Sequence, residues 1–552
     1  MKVTKRLFAG AGVVTVLTMI AALVSGQDAP QNRGNRYEDL IRLFREWREF
    51  QKPKVVNDVP DYSREAMRTQ RDGLKRFQQR LAAMDISGWS VPQKVDYNLV
   101  RAEMNGLDFD HRVLRPWSRD PSFYAAINNA EPDVPLREGP QVYGVLEMWK
   151  YSFPLSEKDA ADVRAKLDSI PRLLDQAKRN LTEDNRDLWT IGVHTKRRES
   201  SYLASLLRRL SGPRPDLVPY VERAKSAVDE FRGWLEQRQK TMRGSSAVGI
   251  ENYNWYLKNV HLVSYTWQEQ LEIEQLELQR SMATLRLEEQ RNRKLPPLQA
   301  PANGEELRRR NEEAVDTFMN FMKEQEIFTV RDYMHLEKPS GGGSILPERA
   351  RDFFHQILYR DYLPLKCHEI HWLEKQRMAQ EPHASPIRSA PLLYDIWDSR
   401  SEGLATAWEE MMMHAGLFDQ RPRTRELIYI LVATRCIRGI ADLKIHSGEF
   451  TLDDAIKYIV ETTPNGWLPA EGATIWEDLG IYLRQPSYGT TYIVGKIAFD
   501  RLLGDKSRLV GANFRFKDFM DQFFDVGVIP MSLVRWEMTG LDDEVKALNL
   551  RQ

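Results

Sequence analysis

The sequence contains little cysteine and no excess of either charge. Two of its 552 residues are cysteines, Cys367 and Cys436, so a framework of several disulfide bonds is excluded, while one bridge or two free thiols stay open. Lysine and arginine together number 79, as do aspartate and glutamate. A chain without a basic excess lacks the electrostatic signature of nucleic-acid binding, and we therefore expect no nucleic-acid partner.

Long apolar runs are also absent, except for one at the start of the chain. Basic residues precede an apolar stretch from position 7 to 24, and small residues lead into polar Gln27. This order is typical of a secretory signal peptide over residues 1–26, followed by a polar linker, 27–35; an uncleaved anchor is the alternative. No cysteine lies near the cleavage point, so we expect no lipoprotein anchor. The prediction is a periplasmic or secreted protein with no stable transmembrane segment after cleavage.

Sustained alternation of apolar and polar residues, the pattern of half-buried strands, is missing as well. Apolar residues instead recur at every third or fourth position, as Leu40, Phe44 and Trp47 do near the start. Prolines mark many of the boundaries between such segments, and we find no internal repeat. The pattern predicts an all-α fold in which residues 36–552 form one large helical domain. One of its predicted helices, Leu363–Met378, carries most of the unusual polar residues.

Two imidazoles and two carboxylates lie within about two turns of that predicted helix: His368, Glu369, His371 and Glu374. Zinc hydrolases usually present histidines at positions i and i+4 with a glutamate beside the first, so that all three groups reach one metal site. A spacing of three still makes the two histidines neighbours on a helix surface. The alternative is a solvated or salt-bridged face formed by His371 and Glu374.

A carboxylate on a second helix is the third ligand that such a zinc site needs, and Glu402 is the candidate. The alternative is a structural carboxylate near a helix start, stabilised by the helix dipole or paired with an arginine such as Arg438. As a ligand, Glu402 should lie in the cleft with its carboxylate facing the helix of His368 and His371, whereas a structural carboxylate should accept backbone N–H bonds or pair with the arginine. We predict that Glu402 is buried and faces His371.

Two further groups follow. Polar residues at spacings of three, four and four project from one helical stripe: Arg435, Arg438, Asp442 and His446. Such a stripe is usually solvated, but apolar residues between its members make an inward-facing stripe plausible. The segment Pro486–Lys496 is rich in hydroxyl groups, and its Tyr492 can donate to an oxyanion, although a tyrosine here is more often a core residue.

In this order the groups resemble a bacterial family, the domain of unknown function numbered 885, whose members are similar to all-α zinc peptidases related to carboxypeptidase Taq. The family pattern has His-Glu and Pro-Gly-His-His, then Glu-Gly-Trp-Ala, then an Arg, Asp and His, and finally Pro-Gly-x-x-x-x-Tyr-x-x-Gly. The matching residues here are Glu402, Gly403, Ala405, Arg438, Asp442, His446, Pro486, Tyr492 and Gly495. Leu404 replaces the family Trp and Ser487 the family Gly. The resemblance covers most of the chain after the linker.

The first element of the pattern departs from the family. If His368-Glu369 aligns with the family His-Glu, the Pro-Gly is missing and His371 falls on a later His. If the later part aligns without a gap, Leu365 and Lys366 replace His-Glu, and only His371 remains. The first alignment keeps a rearranged metal site, and the second abolishes it.

The resemblance therefore implies two functions, both on a peptidase-like helical scaffold with a central cleft. The altered spacing favours the first, an exported protein with an impaired metal site that binds a peptide or a partner in the cleft. The alternative is an active metal-dependent peptidase in which zinc is bound by His368, His371 and Glu402. Glu369 would then be the general base, and His446 and Tyr492 would stabilise the tetrahedral oxyanion.

Overall fold

The computed structural model describes residues 36–338 and 343–551, so the signal peptide and linker predicted over residues 1–35 lie outside the described residues. In the described part, helices dominate and the strands are two short pairs. Strand β1 (Val55–Val56) pairs antiparallel with β2 (Val59–Pro60), and β3 (Ile127–Asn128) pairs in parallel with β4 (Leu146–Glu147). The predicted all-α class is confirmed.

The helices fall into two sets along the chain. The first set is α1 (Tyr37–Phe50), α2 (Arg64–Ala82), α3 (Val91–Phe109), α4 (Pro116–Arg119), α5 (Glu157–Asn180), α6 (Arg186–Leu210), α7 (Val218–Gln239), α8 (Ile250–Tyr256), α9 (Trp267–Arg291) and α10 (Gly304–Glu324). The second set is α11 (Phe353–Arg360), α12 (Leu363–His368), α13 (Ile370–Gln380), α14 (Asp398–His414), α15 (Thr424–Ser447), α16 (Leu452–Thr462), α17 (Ala473–Arg484), α18 (Tyr488–Val510), α19 (Phe516–Val526), α20 (Met531–Thr539) and α21 (Asp543–Ala547). Within the described ranges, none of these helices has the length and apolarity needed to cross a membrane.

Side-chain caps fix several helix starts. A serine or threonine accepts a hydrogen bond from the third helical N–H at the start of α2, α5, α9 and α16: Ser63, Ser156, Thr266 and Thr451. Each of these bonds satisfies one of the free N–H groups at a helix start. Helix α6 begins at Arg186, and Asn185 caps it in the same way.

The described residues build two hydrophobic clusters. The smaller cluster lies between α5, α6 and α7 and reaches the strands β3 and β4 through residues such as Ile127 and Leu146. The larger cluster contains most of the remaining helices, and α15 is buried along nearly its whole length within it. Helix α15 packs against α9 and α18, and α14 packs against α18. Helices α14, α15 and α18 therefore carry most of the polar residues singled out in the sequence.

The helix predicted over Leu363–Met378 is interrupted, which corrects the sequence prediction. Helix α12 ends at His368 and α13 begins at Ile370, with Glu369 between them at φ −68° and ψ 8°. The Trp372 N–H donates to the Glu369 carbonyl at 3.0 Å, a bond that spans three residues instead of four. The interruption separates His368 from His371, so their relative orientation does not follow a regular helix.

The two cysteines lie on different helices. Cys367 lies in α12 and Cys436 in α15, and both are buried and free. Burial raises the pKa of both thiols well above its usual range. They are two buried thiols of the core, and the alternative of a single disulfide bond does not occur.

Candidate functional site

The predicted metal ligands meet at one wall of a cavity of about 410 Å³. His368 at the end of α12 and Glu402 in α14 line this cavity, and His371 in α13 lies buried beside them. The Nε2 atom of His368 is 3.6 Å from Glu402 Oε2, and the Nε2 atom of His371 is 3.5 Å from the same oxygen. The prediction that Glu402 is buried and faces His371 is confirmed.

The two distances from histidine nitrogen to Glu402 oxygen fit a zinc ion. In a tetrahedral zinc site with bonds of about 2.0–2.1 Å, neighbouring ligand atoms lie about 3.4 Å apart, close to both measured distances. Among the described residues, His371 Nε2 and Glu402 Oε2 are both buried, and neither makes a hydrogen bond shorter than the 3.5 Å that separates them. A buried polar atom without a partner costs free energy, and a cation placed between the two would satisfy both.

Each histidine is held through its other ring nitrogen. His368 Nδ1 is 3.1 Å from Glu409 Oε1, and His371 Nδ1 is 3.2 Å from Ser401 Oγ. Glu409 in turn accepts two hydrogen bonds of 2.7 Å from the guanidinium of Arg435. A carboxylate or hydroxyl on the far nitrogen is how proteins orient metal-binding histidines, because it leaves the near nitrogen free to bind.

The charges around the ligands are strongly coupled. Burial alone would lower the pKa of His368, but hydrogen bonds with Glu402 and Glu409 outweigh it and raise that pKa to about 9. Burial would raise the pKa of Glu402, yet His368 and His371 together hold it well below its usual range. Without a metal, an imidazolium therefore neutralises the Glu402 carboxylate, and a metal would have to displace that proton.

Tyr488, which the sequence prediction passed over, is the direct partner of Glu402. Its hydroxyl donates to Glu402 Oε1 at 2.6 Å, which leaves Oε2 facing the histidines. The predicted Tyr492 lines the same cavity one turn later, and its hydroxyl is 3.4 Å from that of Tyr488. The only sequence signal for Tyr488 was its position in the hydroxyl-rich segment Pro486–Lys496.

The charged stripe of α15 positions the start of α18. The Asp442 carboxylate accepts a hydrogen bond of 2.7 Å from the Gly489 N–H, so it caps the first turn of α18 from outside the helix. Ser487, just before the helix, has a φ of 74°. This cap fixes the direction in which α18 leaves the loop, and thus the position of Tyr488.

Helices α14 and α18 touch through two glycines of the family pattern. A Cβ atom added at Gly403 would lie 2.4 Å from the backbone of Gly495, and one added at Gly495 would lie 2.1 Å from the Ser399 carbonyl oxygen. No larger residue fits at either position without moving a backbone. The contact brings Glu402, next to Gly403, within reach of the α18 tyrosines.

Glu369, the predicted general base, lines the cavity but is already engaged. Both of its carboxylate oxygens accept hydrogen bonds of 2.6 Å from Lys366, and Tyr362 donates to it at 3.0 Å. Lys366 is itself buried, which lowers the pKa of its ammonium group. The structure thus places Glu369 beside His368, in an ion pair with Lys366.

His446 and Arg438 lie farther along α15. His446 is buried and hydrogen-bonds through Nε2 to the Tyr482 carbonyl at 2.8 Å, and burial lowers its pKa to about 4. His446 does not line the 410 Å³ cavity, whereas Arg438 does. Arg438 pairs with Asp478 at 2.6 Å, so the alternative in which it pairs with Glu402 does not occur.

Two acidic residues reach the site from the first half of the chain. Asp133 offers a carboxylate oxygen that lies within 4.8 Å of a ring nitrogen of both His368 and His371. Glu138 lines the cavity, and burial raises its pKa to about 7. Their distance along the chain from the histidines gave no sequence signal, and neither was predicted.

Glu138 shares the hydroxyl of Tyr488 with Glu402. The Tyr488 oxygen is 3.2 Å from Glu138 Oε1 and 2.6 Å from Glu402 Oε1. A phenol has one proton, so when Tyr488 donates it to Glu402, the contact with Glu138 requires the proton of a neutral Glu138. The three groups form a short hydrogen-bonded chain along the cavity wall.

A larger cleft of about 1210 Å³ adjoins the cavity. The two share Asp133, Glu138 and Glu369 as lining residues. The larger cleft also has aromatic walls, Trp372 and Trp476 among them. The candidate metal ligands therefore lie at one end of a long groove.

The pattern that defines a family described as "Bacterial protein of unknown function (DUF885)" matches residues 51–337 and 371–538 of this chain. His371 and Glu402 fall inside the matched ranges, whereas His368 and Glu369 fall in the interval between them. No curated protein matches the sequence.

The solved structures that are similar to this chain include two described as lipoproteins. A "putative lipoprotein of unknown function" from Shewanella oneidensis has a TM-score of 0.62 at 17% identity, over 91% of this chain and 97% of its own. A second "putative lipoprotein", from Colwellia psychrerythraea, has a TM-score of 0.58 at 15% identity, over 93% of this chain and 99% of its own. At this identity the likeness shows a shared fold.

Proposed function

The chain belongs to the bacterial DUF885 family of unknown function, and we propose that it is a metal-dependent hydrolase of peptide bonds. The observation that carries the proposal is the convergence of His368, His371 and Glu402. Both histidine Nε2 atoms face one carboxylate oxygen, at 3.5 and 3.6 Å. Two nitrogens and one oxygen are a ligand set typical of catalytic zinc sites, which keep a further position open.

Zinc bound by these three residues would supply a Lewis acid and an activated water. Other residues of the cavity would stabilise negative charge and transfer protons. Tyr492 and Arg438 lie on the cavity wall, where a hydroxyl and a guanidinium can donate to a negatively charged oxygen. Glu138 can hold or release a proton near neutral pH, because its pKa is about 7.

The groove favours an extended substrate. The cavity and the adjoining cleft together offer far more room than one amino acid occupies, and aromatic residues such as Trp372 line it. An extended peptide has backbone polar groups and partly apolar side chains, and both suit such a surface. We therefore propose a peptide as the ligand, as the family resemblance implied.

We also propose that the protein works outside the cytoplasm. The support is the sequence pattern of a signal peptide over residues 1–26, which lie outside the described residues. The similarity to two proteins called putative lipoproteins is compatible with that location.

Metal binding is the first test. The purified protein, refolded with excess zinc and dialysed, is expected to retain about one zinc per chain by elemental analysis. His371→Ala and Glu402→Ala are expected to lose it, whereas the control His414→Ala retains it because His414 is exposed, with 64% of its side-chain surface accessible. Free zinc at about 100 times the dissociation constant should stabilise the wild type by about 2.7 kcal/mol. A wild type without bound zinc would refute the proposal.

Peptide hydrolysis is the second test. The zinc-loaded protein is incubated with a defined mixture of synthetic peptides, and mass spectrometry follows the appearance of fragments. Cleavage by the wild type and by His414→Ala, but not by Glu402→Ala, is expected. Zinc binding without cleavage of any peptide would instead favour the first function implied by the sequence, a scaffold that binds a peptide or partner.

A further inference from the structure

Asp133 stands in a loop that crosses from the smaller hydrophobic cluster to the metal site. We name residues 129–145, which connect β3 and β4, the β3–β4 loop. Strand β3 belongs to the smaller cluster through Ile127, whereas Val134 is fully buried in the larger one. The loop therefore connects the two hydrophobic clusters beside the predicted ligands.

The backbone on both sides of Asp133 is anchored. Lys375, one turn after His371 in α13, donates to the Pro132 carbonyl at 2.5 Å and to Glu131 Oε1 at 2.7 Å. On the other side, the Val134 side chain is buried. These anchors hold the Asp133 carboxylate against the helix that carries His371.

The far part of the loop is tied to the opposite wall. The Gly139 N–H donates to Gln485 Oε1 at 2.6 Å, Arg484 donates to the Pro140 carbonyl, and Glu138 lies against Tyr488. Gln485 in turn donates to Asp398, at the start of α14. The β3–β4 loop thus spans the groove from α13 to the junction of α17 and α18.

No arginine or lysine of the described residues pairs with Asp133. In residues 36–338 and 343–551, no arginine, lysine or other donor hydrogen-bonds its carboxylate, while ring nitrogens of His368 and His371 lie within 4.8 Å. The buried Nε2 of His371 makes no close hydrogen bond either, since its contact with Glu402 Oε2 is 3.5 Å long. A carboxylate held by its backbone beside two histidines, next to an unpaired nitrogen, is suited to a shared cation.

We propose that Asp133 is a further ligand of the metal site, so that a bound zinc ion fastens the β3–β4 loop to the helices that carry His368, His371 and Glu402. This inference rests on the proposed function, since it concerns the same metal. It adds that the site is complete only when both hydrophobic clusters are in place. The loop also forms a wall of the groove, and the order of the loop then depends on the bound metal.

Zinc affinity and loop protection test the inference together. Competition with a chromophoric chelator gives the zinc dissociation constant of the wild type, Asp133→Asn and the control Glu131→Gln. Glu131→Gln removes a carboxylate from the same loop that lies outside the metal site, and the Lys375 bond to the Pro132 carbonyl remains. Hydrogen exchange of the amides in residues 129–145, with and without zinc, reports how strongly the loop is protected.

Asp133→Asn is expected to weaken zinc binding by at least about tenfold, because even partners that only orient a ligand contribute about 10–100-fold. Zinc should slow exchange in the β3–β4 loop of the wild type and of Glu131→Gln, but not of Asp133→Asn. Equal zinc affinity and equal protection in Asp133→Asn and the wild type would overturn this inference alone. A wild type that binds no zinc would overturn it together with the proposed function.

Discussion

Replacing Gly403 by alanine is expected to move the two helices on which the site is built. The added Cβ would lie 2.4 Å from both the Cα and the carbonyl carbon of Gly495. Carbon atoms in contact are about 3.5 Å apart or more, so α14 and α18 would have to separate by about 1 Å. The clashing atoms belong to the backbone, and no rotamer change can relieve them.

The free-energy cost follows from two opposing effects. Overpacking typically costs about 1–3 kcal/mol, and a clash between backbones belongs at the upper end of that range. Alanine in a helix interior gains about 0.5–1 kcal/mol over glycine. Gly403→Ala should therefore lower the free energy of unfolding by about 2 kcal/mol. It should also weaken zinc binding, since the hydrogen bond between Tyr488 and Glu402 depends on the same helix contact.

Gly504→Ala is the matched control. Gly504 lies in α18 as well, is exposed, and has no atom within 4 Å of the position of an added Cβ. This variant should be more stable than the wild type by about 0.5–1 kcal/mol. Urea unfolding followed by tryptophan fluorescence, with the chelator competition described above, measures both effects. If Gly403→Ala were as stable as Gly504→Ala and bound zinc equally well, the helix contact would not position the site.

Two further predictions concern buried charges. Arg435→Met should lower the free energy of unfolding by about 3–5 kcal/mol, because Glu409 is fully buried and would lose its guanidinium partner. The control Arg198→Met removes an ion pair on the surface and should cost less than about 1 kcal/mol. His261 is buried against Tyr256, and burial lowers its pKa from 6.5 to about 3. Between these two pH values the unfolded chain binds a proton that the folded chain does not. The free energy of unfolding therefore falls as the pH drops through that window. His261→Phe should reduce the loss of unfolding free energy between a pH of about 7.5 and one of about 5 by about 2 kcal/mol, and an unchanged loss would contradict this.

The sequence by itself determined the fold class and many of the helix starts. Apolar residues at every third and fourth position, such as Leu40, Phe44 and Trp47, lie on one face of any helix, and all three are buried in α1. Caps such as Ser63 act within one turn. Both signals depend on neighbours in the chain, so no tertiary information is needed. The grouping of Glu402 with the histidines also followed from the sequence, through ligand chemistry and family resemblance.

Only the tertiary structure decided how these residues face one another. The interruption at Glu369 orients His368 and His371, and the contact of Gly403 with Gly495 sets the distance from Glu402 to Tyr488. Periodicity within one helix carries no information about the angle or separation between two helices, which packing determines.

Asp133 and Glu138 show the same limit most clearly. They lie in a loop whose residues have no periodic pattern, more than 200 positions before the histidines, and only the packing of the two hydrophobic clusters brings them into the groove. The same holds for Arg438, whose partner is Asp478 in α17 and not Glu402, the partner considered in the sequence analysis. Side-chain chemistry can be read from the sequence, but the partner of each side chain depends on which surfaces the core brings together.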